Sequence, residues 1–419
     1  MTHVVTCFVR NRGRVLLVRR SDSVGTFPGR WAGVSGYVEG DPAAAEDDAR
    51  RELREEVRLG DGDVELVRVG APLDVTGADG EFTVHPFLFE AETRETVTNE
   101  EISEAEWTDP TAIFERETVP ELWETWRRVA PSLPTVREDR THGSAWIAAR
   151  ALETLRDDAA ESDDWESVAR TARKLRDARP NMAAVSNRVN RAMATADRTP
   201  DSVRERCIAL LRESLDATDA AAETAAERLA AREATTLATL SRSGTVRATV
   251  VESDPEAVVV AESRPDCEGV GVAEWVAAET DADAALTTEA AIPAALSEFD
   301  ADAAVVGADA VLSDGRVVNK TGTTALALAA READIPIYAV AARDKVRPAG
   351  DSWEAEETTR TDAVYDGEEA VSVFAPTFEA TPAGLVDAVV TEAGLEDAED
   401  VRRIAEEHAE NAAWDESGP

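Results

Sequence analysis

The sequence predicts an α+β domain, then a helical subdomain, then an α/β domain built on a parallel sheet. Three observations carry this. Up to about residue 130, short apolar runs flank one helix with a narrow apolar stripe. Residues 142–233 alternate alanine, leucine, arginine and acid at helical spacing. From Thr235 onward, short apolar strands alternate with helices, the pattern of a parallel sheet covered by helices. A length of 419 residues allows two or three domains.

Composition narrows the partners. Asp and Glu number 85 against 44 Lys and Arg, a net charge of −41. Lysine occurs only at 174, 320 and 345, so 41 of the 44 basic residues are arginine. Acid spread along the chain with almost no lysine describes a surface adapted to high salt, where dense counterions screen self-repulsion. A disordered acidic chain does not fit a 43% hydrophobic content and persistent periodicity. The charge argues against bulk nucleic acid as a partner, because phosphate binding needs a basic face. No apolar run approaches membrane-spanning length, and no signal-peptide pattern is present. Cys7, Cys207 and Cys267 lie far apart, which with the missing signal peptide predicts a reducing cytoplasm. His3, His85, His142 and His408 form no zinc-ligand spacing.

In chain order, HVVTCFVR and RVLLVRR read as strands joined at Asn11-Arg12-Gly13, a hairpin signal. A helix from about Ala43 to Arg58 follows. Then come the strand DVELVRV, a hairpin through Gly77-Ala78-Asp79-Gly80, the strand FTVHPFLFEA, and a further strand over Glu101–Trp107. A helix near Pro120–Val129 carries Trp123 and Trp126, read as core packing. Pro131-Ser132-Leu133-Pro134 marks a linker over 131–141.

The first of these helices carries the chemistry. Ala49, Leu53 and Val57 recur every four residues. Glu52, Glu55 and Glu56 stand at i, i+3 and i+4, and the spacing predicts that they share the opposite face. Carboxylates that close repel one another, and a hard divalent cation with substrate phosphates relieves the repulsion.

Gly36 to Leu59, with its core Arg51-Glu52-Leu53-Arg54-Glu55-Glu56, resembles the Nudix hydrolase signature G-x5-E-x7-R-E-U-x-E-E-x-G-U, U being aliphatic. Its flank agrees: Val15–Arg20, Pro28-Gly29-Arg30-Trp31 and Ser35–Gly40. Three departures stand out. Arg51 comes one residue late from Gly36, Asp41 is the nearest acid to the first box glutamate, and Arg58 occupies the late glycine. The resemblance implies an α/β/α sandwich that hydrolyses nucleoside diphosphate derivatives with Mg²⁺ or Mn²⁺. It implies Glu52, Glu55 and Glu56 as metal ligands and Arg51 as their orienting partner. It also suggests a loop glutamate near the late strand that joins the metal site or activates water, for which Glu101 is a candidate beside Glu100 and Glu104.

In the second half the predicted strands are TLATLS, AVVVAES, ADAALTT, AAVVGADAV, IPIYAVAA and the FAPTFEATP region. A buried strand is expected to end at Asp309 and a turn to pass over Asp314-Gly315. The Gly/Thr-rich loop Asn319–Thr323 would then open a helix over Thr323–Glu332. Its first amides and the Lys320 ammonium suit a phosphate, and open sheets place ligands at the carboxyl ends of strands. Lys320 and Lys345 fall at strand ends in a chain that nearly excludes lysine. The acid-rich last twenty residues are expected to fray.

Residues 140–396 resemble the family of the alpha, beta and delta subunits of initiation factor two-B, which also contains ribose-1,5-bisphosphate and methylthioribose-1-phosphate isomerases. The resemblance rests on Ala178–Met182, Glu262-Ser263-Arg264-Pro265, Gly307-Ala308-Asp309, Asn319–Thr323, Phe378–Pro382 and Thr391-Glu392-Ala393-Gly394. The isomerases move a proton with a cysteine and an aspartate. The aspartate matches Asp309, Ser241 stands at the cysteine's position, and Cys267 does not match. The isomerases' R-G-A segment appears as His142-Gly143-Ser144. A serine without an adjacent base carries a proton poorly near neutral pH. The family therefore implies sugar-phosphate or nucleotide binding through Arg179, Ser241, Ser243, Arg264, Asn319 and Lys320.

The expected organisation is a Nudix domain over 1–130, a linker over 131–141, a helical subdomain over 142–233 and a Rossmann-like subdomain over 234–419. The expected function is Mg²⁺-dependent hydrolysis of a nucleoside diphosphate derivative or related pyrophosphate. The second domain would bind a phosphorylated metabolite or nucleotide and form a homodimer or higher oligomer. The alternatives are a ribose-phosphate isomerase with Asp309 as acid/base, or a non-catalytic metabolite-binding protein.

Overall fold

The computed structural model describes residues 2–77, 80–354 and 361–415. It divides into two compact units, Met1–Thr135 with Glu153–Asp163, and Val136–Leu152 with Asp164–Pro419.

The first unit is a mixed sheet with helices on both faces. Its strands are β1 (Thr2–Asn11), β2 (Arg14–Arg20), β3 (Trp31–Ala32), β4 (Val34–Tyr37), β5 (Val64–Val69), β6 (Leu73–Gly77), β7 (Gly80–Ala91) and β8 (Ile102–Thr108). They run in the order β3-β2-β1-β7-β5, with β4 on β1, β6 on β7 and β8 on β2. The predicted first hairpin is present: Asn11 pairs Arg14 across Arg12 (φ 48°) and Gly13 (φ 75°). In the second, Gly77 pairs Gly80, while Ala78 and Asp79 lie outside the described residues. The strands alternate as two covered faces require. Cys7, Val9, Leu16, Val18, Phe87 and Phe89 pack with α1 (Ala45–Val57). Phe8, Val15, Leu17 and Leu88 pack with Leu122 and Trp126 of α2 (Leu122–Arg127). The expected α/β/α sandwich results, with Trp126 in its core and Trp123 partly buried. Leu53, fully buried from α1, contributes about 2 kcal/mol.

Within the span read as linker, α3 (Leu133–Glu138) is helical and buries Val136. The helical subdomain comprises α4 (Ser144–Glu161), α5 (Trp165–Arg176), α6 (Ala183–Ala194) and α7 (Pro200–Ala230).

The following α/β region sits on a seven-stranded sheet, mostly parallel. Its elements are β9 (Thr236–Leu240), α8 (Gly244–Ser253), β10 (Ala257–Ala261), α9 (Glu268–Glu279), β11 (Asp283–Thr287), α10 (Ile292–Glu298) and β12 (Ala303–Val306). Two short strands, β13 (Ala310–Val311) and β14 (Val317–Lys320), then precede α11 (Thr323–Glu332) and β15 (Ile337–Val340). The chain closes with β16 (Phe378–Thr381), β17 (Ala388–Thr391), β18 (Gly394–Glu396) and α12 (Ala398–Ala412). The sheet order is β11-β10-β9-β12-β15-β17-β18, with β17 and β18 antiparallel.

Three expectations need correction. The FAPTFEATP strand does not join the parallel sheet; β16 pairs antiparallel with β14 in a separate three-stranded sheet. Asn319 and Lys320 are the last residues of β14 rather than a loop. The acid-rich end does not fray at its start. A capping box of Asp397 and Asp400 begins α12, which buries Val401, Ile404, Ala405 and His408.

Candidate functional site

In the first unit, the residues before α1 form a short 3-10 turn, and Asp41 caps it by accepting from the Ala43 amide at 3.0 Å. The nearest acid to the first box glutamate is thus a capping residue. The helix ends at Arg58 in the left-handed region, φ 62°, its amide donating to Leu53 O. That is why the signature has glycine there: a side chain in this region costs about 1–2 kcal/mol.

The helix does not present its three glutamates together. Glu55 is exposed, whereas Glu52 and Glu56 are 9% and 4% exposed. The expectation that all three face away from the apolar stripe fails. At about 100° per residue, Glu56 projects only about 20° from Ala49 and Glu52 about 60° from it, while Glu55 lies about 120° away. Glu52 rests against Gly36 of β4, where an added Cβ would stand 2.0 Å from its carboxyl carbon. Glu56 Oε2 accepts from the Ser35 amide at 3.4 Å.

The electrostatics follow from burial. Glu56 is pushed up to about 8, first by burial and then by Glu52, while the Ser35 amide and Arg20 oppose the rise. Glu52 is also raised by burial, against the pull of Arg51. The charge of Glu101 raises both. Beneath them, the buried Cys7 thiol is pushed up by burial and by both glutamates. Arg51 is the organiser: it donates to Glu52 Oε1 at 2.8 Å and to Tyr37 O at 3.0 Å, and pairs with Glu39 and Asp48 at 3.0 and 2.9 Å. Arg20, Ser35 and Glu39 were read only as part of the flank, because only the fold brings them to this helix; Asp48 stands one turn before Arg51 on the helix itself and was legible but not singled out.

Among the described residues, no group of three or more His, Cys, Asp or Glu side chains is arranged to hold a metal ion by itself. The donor set still fits Mg²⁺. This ion takes one or two carboxylates, water and substrate phosphates rather than an all-protein cage. Glu52 and Glu56 are both buried, and the charge of Glu52 raises Glu56; a hard cation stabilises such a pair.

In the second unit, strand order reverses between β9 and β12: the chain builds outward through β10 and β11, then returns to the other side of β9. A crevice at such a reversal, beyond the carboxyl ends of the strands, is the usual ligand position. Ser241, Arg242 and Ser243 follow β9, Glu262–Glu268 follow β10, and Gly307–Asp309 follow β12. Ser241 has φ 59°, a conformation that side chains rarely adopt. Its hydroxyl donates to Glu268 Oε2 at 2.8 Å, so the expectation of a serine without an adjacent base is corrected. The Lys320 ammonium, 8% exposed, lies 3.1 Å from the same oxygen, with Asp266 at 3.9 Å. Despite burial, Lys320 and Ser241 hold the Glu268 carboxyl below its usual range, which makes it a poor base.

The sequence-predicted phosphate cradle is therefore filled by the protein's own acids. Glu268 takes Lys320, and Glu379 Oε1 accepts from the Gly322 and Thr324 amides at the start of α11, at 2.8 and 2.9 Å. Asn319 donates to Thr323 Oγ1 at 3.1 Å, and Ser243 caps α8 by accepting from Val246 N. Arg264 is exposed and pairs with Glu262 at 3.3 Å. Arg179 donates to Asp139 O at 2.8 Å, and Arg242 donates to Thr141 O at 2.5 Å, so both arginines hold the 139–141 segment. Asp309 lies beside buried Lys345, whose ammonium donates to Ala308 O at 2.6 Å; burial lowers its pKa and Asp309 opposes this. Glu268 and Glu379 were missed because their partners are distant in sequence. Glu268 could have been suspected, since it follows Arg264-Pro265 in the same loop.

Comparison with known proteins agrees with this architecture. A NUDIX domain matches residues 2–133, and the initiation factor 2 subunit family matches residues 140–397. Ribose 1,5-bisphosphate isomerase of Haloferax volcanii is 32% identical over 295 residues, covering 64% of this chain and 87% of that protein. A probable bifunctional methylthioribose-1-phosphate isomerase/methylthioribulose-1-phosphate dehydratase of Nocardia farcinica is 37% identical over 160 residues, 36% of this chain and 29% of that protein. Methylthioribose-1-phosphate isomerase of Magnetococcus marinus is 33% identical over 156 residues, 35% of this chain and 44% of that protein. The chain thus spans less than half the length of these last two relatives. Translation initiation factor eIF-2B of Pyrococcus horikoshii superposes with a TM-score of 0.53 at 26% identity, over 63% of this chain and 94% of that one. No helix among the described residues is long and apolar enough to cross a membrane. The chain belongs to the initiation factor 2 subunit family, with a NUDIX domain fused ahead of the family domain.

Proposed function

We propose that the first unit hydrolyses the pyrophosphate bond of a nucleoside diphosphate derivative or related pyrophosphate, and that the second binds a phosphorylated ribose metabolite or nucleotide. The observation that supports hydrolysis is the buried Glu52–Glu56 pair, with Glu56 raised to about 8. Glu52 and Glu56 would hold Mg²⁺ or Mn²⁺, with Glu55 at the exposed margin. A bound cation supplies charge neutralisation for the pyrophosphate and a more acidic water. Arg51 fixes the Glu52 rotamer through its bonds to Glu52 and Tyr37 O. The Ser35 amide orients Glu56, and burial keeps bulk water from the pair. Glu101, whose charge reaches both carboxylates, is the group left to take up a proton.

The test is metal-dependent turnover over a panel of nucleoside diphosphate derivatives, with Glu56→Gln as control. Hydrolysis should fall at least tenfold, about 1.4 kcal/mol of barrier. The melting temperature without divalent cation should hold or rise, because a carboxyl raised by burial becomes destabilising as pH climbs towards its folded pKa. A panel without metal-dependent turnover would leave a non-catalytic protein.

A second reading, ribose-phosphate isomerisation, is favoured by the Haloferax volcanii relative and by Asp309 beside Lys345. Ser241 and its weakly basic partner count against it. Assembly into a homodimer or higher oligomer through the second unit is part of the proposal; the solved eIF2B-beta2-delta2 complex of a relative at 20% identity is tetrameric. Three cysteines far apart in the sequence, Cys7, Cys207 and Cys267, fit a cytoplasmic setting.

A further inference from the structure

The last turn of α1, like every helix end, leaves carbonyls without helical partners. The segment before β8 takes two of them. Val97 N donates to Val57 O at 3.2 Å, and Asn99 N donates to Glu56 O at 3.1 Å. Asn99 then acts a second time, through its side chain. Its Oδ1 accepts from the Glu101 amide at 2.9 Å, and its carbonyl accepts from Ile102 N at 3.4 Å. Asparagine suits this turn, because its side-chain oxygen reaches the backbone two residues on. Just past β2, Ser21 N donates to Glu101 O at 2.8 Å. The backbone of Glu101 is therefore held at both its amide and its carbonyl, and the residue that holds the amide is itself bonded to Glu56. The neighbouring acids are held differently: Glu100 O accepts from the Ser23 hydroxyl at 3.4 Å, and the half-exposed Glu104 side chain pairs with Arg19 at 3.7 Å. The charge of Glu101 reaches both Glu52 and Glu56.

We propose that Asn99 is a positioning residue, the clasp that fixes Glu101 relative to the Glu52–Glu56 pair. The proposal rests on the reading that the first unit is a metal-dependent hydrolase, and it names how the proton acceptor of that site is held. The backbone bond of Asn99 ties the turn to the helix that carries the two buried acids, and the side-chain bond sets where Glu101 leaves that turn. A displacement of about 1 Å at a catalytic group can cost about a hundredfold in rate, so a clasp of this kind matters to chemistry more than to folding. A residue that merely shapes the turn would act on stability whatever stands at position 101. A residue that works through Glu101 loses its effect once the Glu101 carboxylate is gone.

A double-mutant cycle on the full chain in molar KCl separates the two roles. Asn99→Ala removes the side-chain bond and keeps the backbone bond to Glu56 O. Its kcat on nucleoside diphosphate derivatives should fall about tenfold or more, with KM within about twofold of the parent. In a Glu101→Gln background the same change should cost less than about twofold. Asn99→Asp keeps the acceptor oxygen and should return kcat to within about threefold of the parent. Mn²⁺ titration followed by electron paramagnetic resonance gives a readout without turnover. Glu101→Gln and Asn99→Ala should each weaken Mn²⁺ about threefold and the double variant no further, because both take the same charge from the site. Equal losses of kcat from Asn99→Ala in both backgrounds, or no loss in either, overturn the clasp and leave the hydrolase reading standing. A parent that binds Mn²⁺ without turnover overturns the hydrolase reading; additive Mn²⁺ losses then overturn the clasp as well, and non-additive losses support it. A parent that neither turns over substrate nor binds Mn²⁺ overturns both.

Discussion

Ser241 and Lys320 converge on one oxygen of Glu268, at 2.8 and 3.1 Å. Lys320 is one of three lysines in the chain, and it neutralises an internal acid. Its ammonium also lies 4.9 Å from the Phe378 ring centroid. Lys320→Met keeps the aliphatic packing and leaves Glu268 unpaired. Breaking a buried pair costs about 3–5 kcal/mol, but Glu268 is 27% exposed and can hydrate, so about 1–3 kcal/mol is expected. The sign with pH is fixed by the depressed carboxyl: the pair stabilises above the unfolded pKa and is lost as pH falls through the folded value. The difference in melting temperature between parent and variant should be largest near pH 7 and close below about pH 4. A gap that stays constant with pH would place the effect of Lys320 elsewhere.

The same geometry bears on isomerisation. A serine whose partner carboxylate has a lowered pKa has only a poor base to take its proton, whereas a thiol titrates near neutrality. The parent is expected to show no turnover of ribose 1,5-bisphosphate, and Ser241→Cys to show at least a tenfold gain. The assay follows product formation with a coupled or mass-spectrometric readout. Enzyme-like turnover by the parent would show that Ser241 does not limit the chemistry, and that Asp309 and Lys345 suffice.

Much of this was legible from the sequence. The hairpin at Asn11–Gly13, the box helix and the strand–helix alternation after Thr235 follow from local chemistry, and local chemistry decided them. The positions of Glu52 and Glu56 were legible but misread: counting fours found the apolar stripe, while a full helical projection puts Glu56 beside Ala49. The phosphate cradle failed for a different reason. Nothing local to Asn319–Thr323 reveals that Glu379, 57 residues away, bonds the Gly322 amide. Strand β16 was assigned to the parallel sheet because a short apolar run does not state its partner.

Salt adaptation is a property of the whole surface. With a net charge of −41, self-repulsion opposes compaction once counterions are diluted. The fold is expected to loosen as KCl falls from molar to roughly 0.1 M, where screening reaches about 10 Å. Circular dichroism and the melting temperature followed across that range decide it: curves that do not move would remove the salt-adaptation reading.

Gly36 offers the sharpest test of the first unit, because it alters no charge. Its backbone packs against the Glu52 carboxyl, and an added methyl would stand 2.0 Å from both the carboxyl carbon and Oε1. The obstructing atoms are the end of a flexible side chain, so Gly36→Ala should displace Glu52 from Arg51 rather than unfold β4. Hydrolysis should fall at least tenfold, as for Glu56→Gln, with the melting temperature little changed. Repair should be partial in Gly36→Ala with Glu52→Asp, whose shorter side chain leaves room for the methyl. Full activity in Gly36→Ala would mean that the position of Glu52 against Gly36 does not matter, and that the catalytic acids lie elsewhere. A fold that collapses in Gly36→Ala but stands in the double variant would still locate the clash at Glu52.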